Sequence, residues 1–380
     1  LGAPRERVVS ALSLEEPDRV PVFEMHIPPP MASHLLGRTP IAWNTPLQLS
    51  LTSQGRTQGL DVKVAQDLLE LHRSLGLDMI RCPGSAETPR TVSKVDAETW
   101  LINGIRHSWL SGSLWQRDWP SFEPDVIARE IRDGAKATCG QLSKSVSVLR
   151  GLRHTAPMEF FLTFDADGSW GPVVSNPPLL RNVLQWMYTR PGLVDDLLDS
   201  LTSAAIQSGQ VALEDGADAI LMCVDYGHAR GPWMRPDHFR RFVKPRLRRQ
   251  CEAFKSRGGF ALLHSDGNIE PILAEVVDAG IGAYQGIDLH AGMDLGRVKE
   301  LYGARIALIG NVSPHVLEFG TGLDVAKEVR RCLNAAAPGG GYILSASANV
   351  SIGTNAENFR TMMDRARESG SYPSRRSVEP

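Results

Sequence analysis

Short apolar runs ending in polar residues recur along the chain, and most lead into stretches of helical periodicity. The strands this pattern predicts are Val20–Met25, Leu77–Arg81, Phe160–Phe164, Ala219–Val224, Phe260–Leu263, Ala283–Gln285, Ile306–Gly310 and Tyr342–Leu344. Helices are expected over Pro4–Leu12, Val64–Leu75, Pro124–Val148, Pro177 to about Val211, Pro236–Arg257, Ile269–Ala279, Asp294–Tyr302, Leu323–Ala336 and Asn355–Glu368. About eight strands alternating with helices predict an α/β fold, a single (β/α)8 TIM barrel. A doubly wound open sheet is the rival, but no strand leads into GxGxxG or GxxxxGK[ST]. The Gly339-Gly340-Gly341 run precedes its strand, so it cannot cradle a phosphate at a helix start.

Three segments depart from the alternation. The Pro28-Pro29-Pro30 run reads as a stop, and Met31 to Gly59 as a loop that either covers a site or is mobile. Trp100 to Trp109 holds an Asn103-Gly104 turn between alternating runs, which predicts a β-hairpin inserted near residues 95–120. Ser371 to Pro380 reads as a flexible polar tail, leaving residues 1–370 as the barrel domain.

Composition narrows the function classes. The 380 residues are 42% hydrophobic and 22% charged, which is ordinary globular content. A formal net charge of −2 provides no field for nucleic acid or an anionic membrane. No apolar run approaches the ~20 residues of a membrane span, and Leu1 to Glu16 lacks a signal peptide's apolar core. The five cysteines include no CxxC pair and read as free thiols of a cytoplasmic protein.

Barrel active sites form where strands end. The densest such end is Leu262-Leu263-His264-Ser265-Asp266-Gly267-Asn268, in which His264 and Asp266 share a side of the strand. A core histidine beside a helix-capping turn would give the same pattern. The other strand ends add Glu24 and His26, Asp165 and Asp167, Asp225 and Tyr226, Asn311, and Ser347 with Asn349. Glu24, His26, Asp225, Tyr226, His264 and Asp266 are the catalytic candidates, and Asp165, Asp167, Asn268, Asn311, Ser347 and Asn349 the substrate-binding ones. Two chemistries suit this set. One is a divalent metal acting as a Lewis acid, held by two to four of Glu24, His26, Asp225, His264 and Asp266, with His264, Asp266 and Glu24 as the first choice of ligands. The other is metal-free proton transfer by carboxylates and imidazole. The basic run from Arg240 to Arg249 covers several helix faces and reads as a solvated surface, and one or two of the eight tryptophans could line an aromatic substrate pocket.

Several stretches resemble the uroporphyrinogen decarboxylase superfamily. They are Arg5-Glu6-Arg7 through Glu16-Pro17-Asp18-Arg19-Val20-Pro21-Val22, Gly231-Pro232-Trp233-Met234-Arg235-Pro236 to Phe242-Val243-Lys244-Pro245, and His264 to Asn268. Ala291-Gly292-Met293-Asp294-Leu295 and the Gly339 to Ser347 region with Glu357-Asn358 complete the pattern, which is weakest between residues 85 and 155. The resemblance implies a (β/α)8 barrel and either cofactor-free decarboxylation or methyl transfer. Porphyrin decarboxylases of this superfamily carry Arg-Gln-Ala-Gly-Arg where this chain has Glu24-Met25-His26-Ile27-Pro28, which would repel substrate carboxylates. Its thiol-activating methyltransferases carry His-x-Cys for zinc where this chain has His264-Ser265-Asp266. The resemblance therefore implies a divergent branch: a methyltransferase that demethylates a small O- or N-methylated substrate and passes the methyl to a corrinoid protein. Zinc or another divalent metal and a corrinoid carried by a partner protein would be its cofactors. The alternative it implies is a cofactor-free decarboxylase or lyase acting on a small non-porphyrin carboxylate.

Overall fold

The computed structural model describes residues 2–87, 91–110, 112–120, 122–133 and 139–372. Seven strands make one parallel sheet in chain order: β1 (Met79–Cys82), β2 (Phe161–Asp165), β3 (Ala219–Cys223), β4 (Phe260–Ser265), β5 (Ala283–Gly286), β6 (Ala307–Ile309) and β7 (Tyr342–Ile343). The expected first strand, Val20–Met25, is reduced to two bridges. Val22 pairs with Leu344 beyond β7, and Phe23 pairs with Met79 of β1, both in parallel. Pro21 has no N–H to extend this ladder, though its carbonyl accepts from Leu344 N at 2.9 Å. Even so shortened, the segment joins the two edges of the curled sheet.

Alternation along the strands separates two cores. Phe23, Met25, Met79, Phe161, Leu221, Leu262, Ile309 and Ile343 pack together inside the curl, joined by Val8, Ala11 and Leu12 of the helix Pro4–Leu12. That helix therefore plugs the end at which the strands begin. Residues of the opposite parity, such as Val22, Ile80, Leu162, Leu263 and Leu308, face the outer helices.

Asp78, fully buried just before β1, fixes the closing segment. Its carboxylate accepts from Arg7 Nη1 at 2.5 Å, from Arg19 Nη1 and Nη2 at 2.9 and 3.0 Å, and from Val22 N at 2.8 Å. One acid thus ties the plug helix, the closing segment and β1.

Several expectations are corrected. The stretch from Met31 to Gly59, expected as loop, contains the helices Pro29–Leu36 and Thr45–Ser53. The proline run starts the first of these, since proline's fixed φ and absent N–H suit a first helical turn. Asn44 caps the second by accepting from Leu47 N at 3.2 Å. The expected helix Pro124–Val148 is divided into Pro124–Asp133, Cys139–Ser145 and Ser147–Thr155, and residues 134–138 lie outside the described residues. The insertion after β1 has four antiparallel strands, Val92–Lys94, Thr99–Ile102, Ile105–Leu110 and Ser113–Gln116, where a two-stranded hairpin was expected. Asn103 and Gly104, at φ of 52° and 80°, make its central turn. Of the tail, Ser371 bridges to Arg19 and Tyr372 donates its hydroxyl to Ala337 O at 3.0 Å, so these two residues are tied to the body. Residues 373–380 lie outside the described residues. The basic run is largely paired: Arg240 with Asp237 and Glu275, Arg246 with Asp195 and Asp199, and Arg249 with Asp199. No helix among the described residues is long and apolar enough to cross a membrane.

Replacing Asp78 by Asn keeps its shape but removes the counter-charge of Arg19 and one of the two carboxylates that pair with buried Arg7, the other being Asp18. Asp78→Asn is expected to lose about 3–5 kcal/mol of stability, read from urea unfolding. A loss within the range of an exposed ion pair, below about 1 kcal/mol, would contradict this role.

Candidate active site

Register brings the chemistry together. Across β3, β4 and β5, Leu221, Leu262 and Ala283 are paired in the inner apolar layer. Two residues further on, Cys223, His264 and Gln285 form the next paired row, turned the same way. Asp225 and Asp266 follow at the strand ends, above His264.

Gln285 sets the orientation of the histidine. Its Nε2 donates to Ala346 O at 3.2 Å, which leaves Oε1 to accept from His264 Nδ1. With the proton on Nδ1, the Nε2 of His264 is the lone-pair atom, and the hydrogen-bond network assigns this tautomer. That atom lies 3.7 Å from Asp225 Oδ1 and 3.9 Å from Asp266 Oδ2. Asp225 Oδ1 also accepts from Asp266 N at 2.9 Å, which fixes one carboxylate against the other's backbone. Asp266 Oδ1 is buried and has no hydrogen-bond partner. Burial pushes the Asp266 carboxyl up to about 6; His264 pulls against this while Asp225 and Asp288 add to it. One ligand atom from each of Asp225, His264 and Asp266 lies within 4.8 Å of the others. An imidazole lone pair and two carboxylates facing one another, with one buried oxygen unpaired, form a site suited to a cation.

Asp225 and Asp266 open onto a cavity of about 920 Å³. Asp288 and Gly267 lie beside them, and Trp115 and Trp119 from the insertion, with Trp233 from the loop after β3, form its walls.

The other expected site residues are placed elsewhere. Glu24 has the parity of Val22 rather than of Phe23 and Met25, so it points away from the interior. Its Oε1 accepts from Ala346 N at 2.9 Å, Oε2 has no partner, and burial pushes the carboxyl up to about 8. It does not join the Asp225–His264–Asp266 group; of the five candidate ligands, Glu24 and His26 stand apart. His26 packs edge-on to Trp43 at 5.3 Å, and burial, with Arg81 nearby, lowers its pKa to about 4. His26 and Asn349 line a separate pocket of about 320 Å³ with Arg81. Tyr226 is buried, and its hydroxyl bonds Ser169 Oγ at 2.7 Å. Asp165 is paired with Arg81, and Asp167 caps a short helix by accepting from Ser169, Trp170 and Gly171 N–H groups. Asn268 holds Ala291 O and Glu270 N, and buried Asn311 holds Ile287 O and accepts from Arg331. Ser347 is buried with its hydroxyl unpartnered. Cys223 faces the interior near Arg81, with its thiol pushed up to about 12 by burial.

Gln285, Arg81 and Asp288 were not among the expected site residues. Gln285 was detectable: it is a polar residue at the inward parity of a strand paired to the histidine's. The insertion's contribution depended on where that sheet packs, which its own periodicity does not encode.

Residues 178–369 match the uroporphyrinogen decarboxylase (URO-D) family, half of the chain and including β3 through β7. The chain belongs to this family. Among curated relatives, a methylcobamide:CoM methyltransferase MtaA from Methanosarcina barkeri is 28% identical over 200 residues, covering 52% of this chain and 56% of that protein. A uroporphyrinogen decarboxylase from Azoarcus sp. (strain BH72) is 28% identical over 191 residues, covering 48% of this chain and 50% of that protein. The chain thus matches about half the length of these relatives. A solved methyltransferase structure from Methanosarcina mazei superposes with a TM-score of 0.71 at 21% identity, covering 97% of this chain and 99% of that one. It shares the fold.

Glu24 yields a pH prediction. Its folded-state pKa, about 8, lies above the ordinary carboxylate value of about 4.3, so folding takes up a proton between these values. Stability contributed by the protonated form is therefore lost as pH rises through that window. Glu24→Gln should match the parent near pH 5 and become the more stable of the two by pH 8, measured by chemical denaturation at both. A parent whose stability rises relative to the variant over that range would refute this.

Proposed function

We propose that this URO-D family protein is a methyltransferase that demethylates a small O- or N-methylated substrate and delivers the methyl to a corrinoid protein. The observation that carries the reading is the turn of His264 Nε2 toward two carboxylates, with Asp266 Oδ1 buried and unpaired. The similarity to a methylcobamide:CoM methyltransferase supports the reaction class.

Transfer of the methyl breaks its bond to the substrate's oxygen or nitrogen and leaves the electron pair there; from a neutral substrate that atom carries a negative charge, which a group placed against it must neutralise. Asp225, His264 and Asp266 would hold a divalent cation that supplies Lewis acidity there. The one-nitrogen, two-oxygen donor set suits zinc or a harder ion and differs from a thiolate-rich zinc site. Gln285 keeps the imidazole in the ligating tautomer, and Asp225 is held in place by Asp266 N. Trp115, Trp119 and Trp233 border the cavity onto which Asp225 and Asp266 open.

A cofactor-free decarboxylase acting on a small carboxylate is the second reading. It is favoured by Asp266, whose carboxyl, pushed up to about 6, could deliver a proton to the carbon that loses CO₂.

Purified protein is expected to retain one zinc or similar ion per chain and, with methoxylated or N-methylated compounds, to methylate added cob(I)alamin. Asp266→Asn and Asp225→Asn should remove both properties. Gln285→Leu should weaken metal affinity by about 10–100-fold through loss of the imidazole's support. Absence of metal and of methyl transfer, together with CO₂ release from small carboxylates, would replace the first reading by the second.

A further inference from the structure

The family match begins at residue 178, whereas the inserted antiparallel sheet occupies residues 92–116, between β1 and β2. This sheet nevertheless reaches the far side of the barrel mouth. Its last strand, Ser113–Gln116, and the residues after it put Trp115, Arg117 and Trp119 on the cavity that Asp225 and Asp266 line.

Three features of that wall indicate a ligand class. Trp115 is 56% exposed, a large apolar ring left uncovered beside a concave site. Trp233 faces the same cavity from the loop after β3, set against His228 with ring centroids 4.9 Å apart. Arg117 is exposed and makes no ion pair among the described residues, while the carboxylates of the cavity belong to Asp225, Asp266 and Asp288. Indole surface therefore lies between an acidic floor and a cationic rim.

We propose that the inserted sheet is the recognition wall of this site, and that Trp115, Trp119 and Arg117 bind a planar aromatic ring carrying an acidic group. The ring lies along the indoles, its acidic substituent meets the Arg117 guanidinium, and its opposite end reaches Asp225 and Asp266. That the opposite end carries the methyl group rests on the proposed function. A cavity of about 920 Å³ accommodates a ring-sized ligand with room to spare. A quaternary ammonium would also favour indoles and carboxylates, but it would meet Arg117 as a like charge.

Isothermal titration of the full chain, with and without added Zn²⁺, tests this with 4-methoxybenzoate, 4-methoxybenzamide, cyclohexanecarboxylate and tetramethylammonium. The methoxybenzoate is expected to bind tightest. Trp115→Ala should weaken it about three- to tenfold, and Arg117→Gln should abolish the preference for the acid over the amide. Both side chains are exposed, and unchanged melting temperatures would show that the variants fold. Preferred binding of tetramethylammonium, equal affinity for the aromatic and cyclohexane acids, unchanged affinities in both variants, or no binding of the aromatic acid would each overturn the inference. The titration needs no methyl acceptor, so ring binding can hold where methyl transfer fails. Methyl transfer from aliphatic donors without ring binding would overturn this inference alone.

Discussion

The structure depends on how a curled sheet is closed by a segment with almost no ladder of its own. Val22 and Phe23 contribute one bridge to each edge, and Pro21 cannot donate a hydrogen bond. Asp78 compensates. Its buried carboxylate takes the N–H of Val22 and two guanidiniums from the N-terminal region, so the closing segment is held by charge-assisted bonds where strand pairing is short. Removing the carboxylate would strip Arg19 of its counter-charge and Val22 N–H of its acceptor, and would leave Arg7 with Asp18 alone, which makes this a point of high sensitivity. Closure is also what directs the strand ends toward a common axis, and without it His264 would have no cavity to face.

The site itself is assembled by register. Pairing of β3, β4 and β5 sets Cys223, His264 and Gln285 in one row above a row of Leu221, Leu262 and Ala283. A one-residue slip would turn that row outward. The apolar layer beneath and the helix Pro4–Leu12 below it close the base of the interior, leaving the polar groups at its open end. Stability and chemistry are thus stacked along one axis, as barrel architecture arranges them. The antiparallel sheet between β1 and β2 adds indole rings and a guanidinium to a site whose polar floor lies in the family-matched half.

Much of this was legible in the residues. The alternation of apolar runs and helical stretches located all seven strands of the parallel sheet, because a strand buried on both faces must be apolar and short. His264, Asp266 and Asp225 were legible as candidates because polar groups at the ends of such strands need partners or a purpose, and the fold brings the three together. Asn103-Gly104 marked a hairpin turn, since both positions adopt positive φ.

What the tertiary structure decided were matters of direction and neighbourhood. Glu24 and His26 have the same two-residue spacing as His264 and Asp266, yet Glu24 faces outward to Ala346 N and His26 lies against Trp43. Spacing along a strand tells which side chains share a face but not which face meets the axis; packing settles that. Tyr226, Asp167, Asn268 and Asn311 carry the residue types of a site, but their polar atoms are taken up by caps, turns and a buried hydroxyl pair. The tautomer of His264 depends on Gln285, 21 positions away, and on a backbone carbonyl beyond β7. Local sequence determined the elements and marked the strand end at which the candidate site lies. Only the closed fold decided which polar groups had already found partners and which were left facing one another.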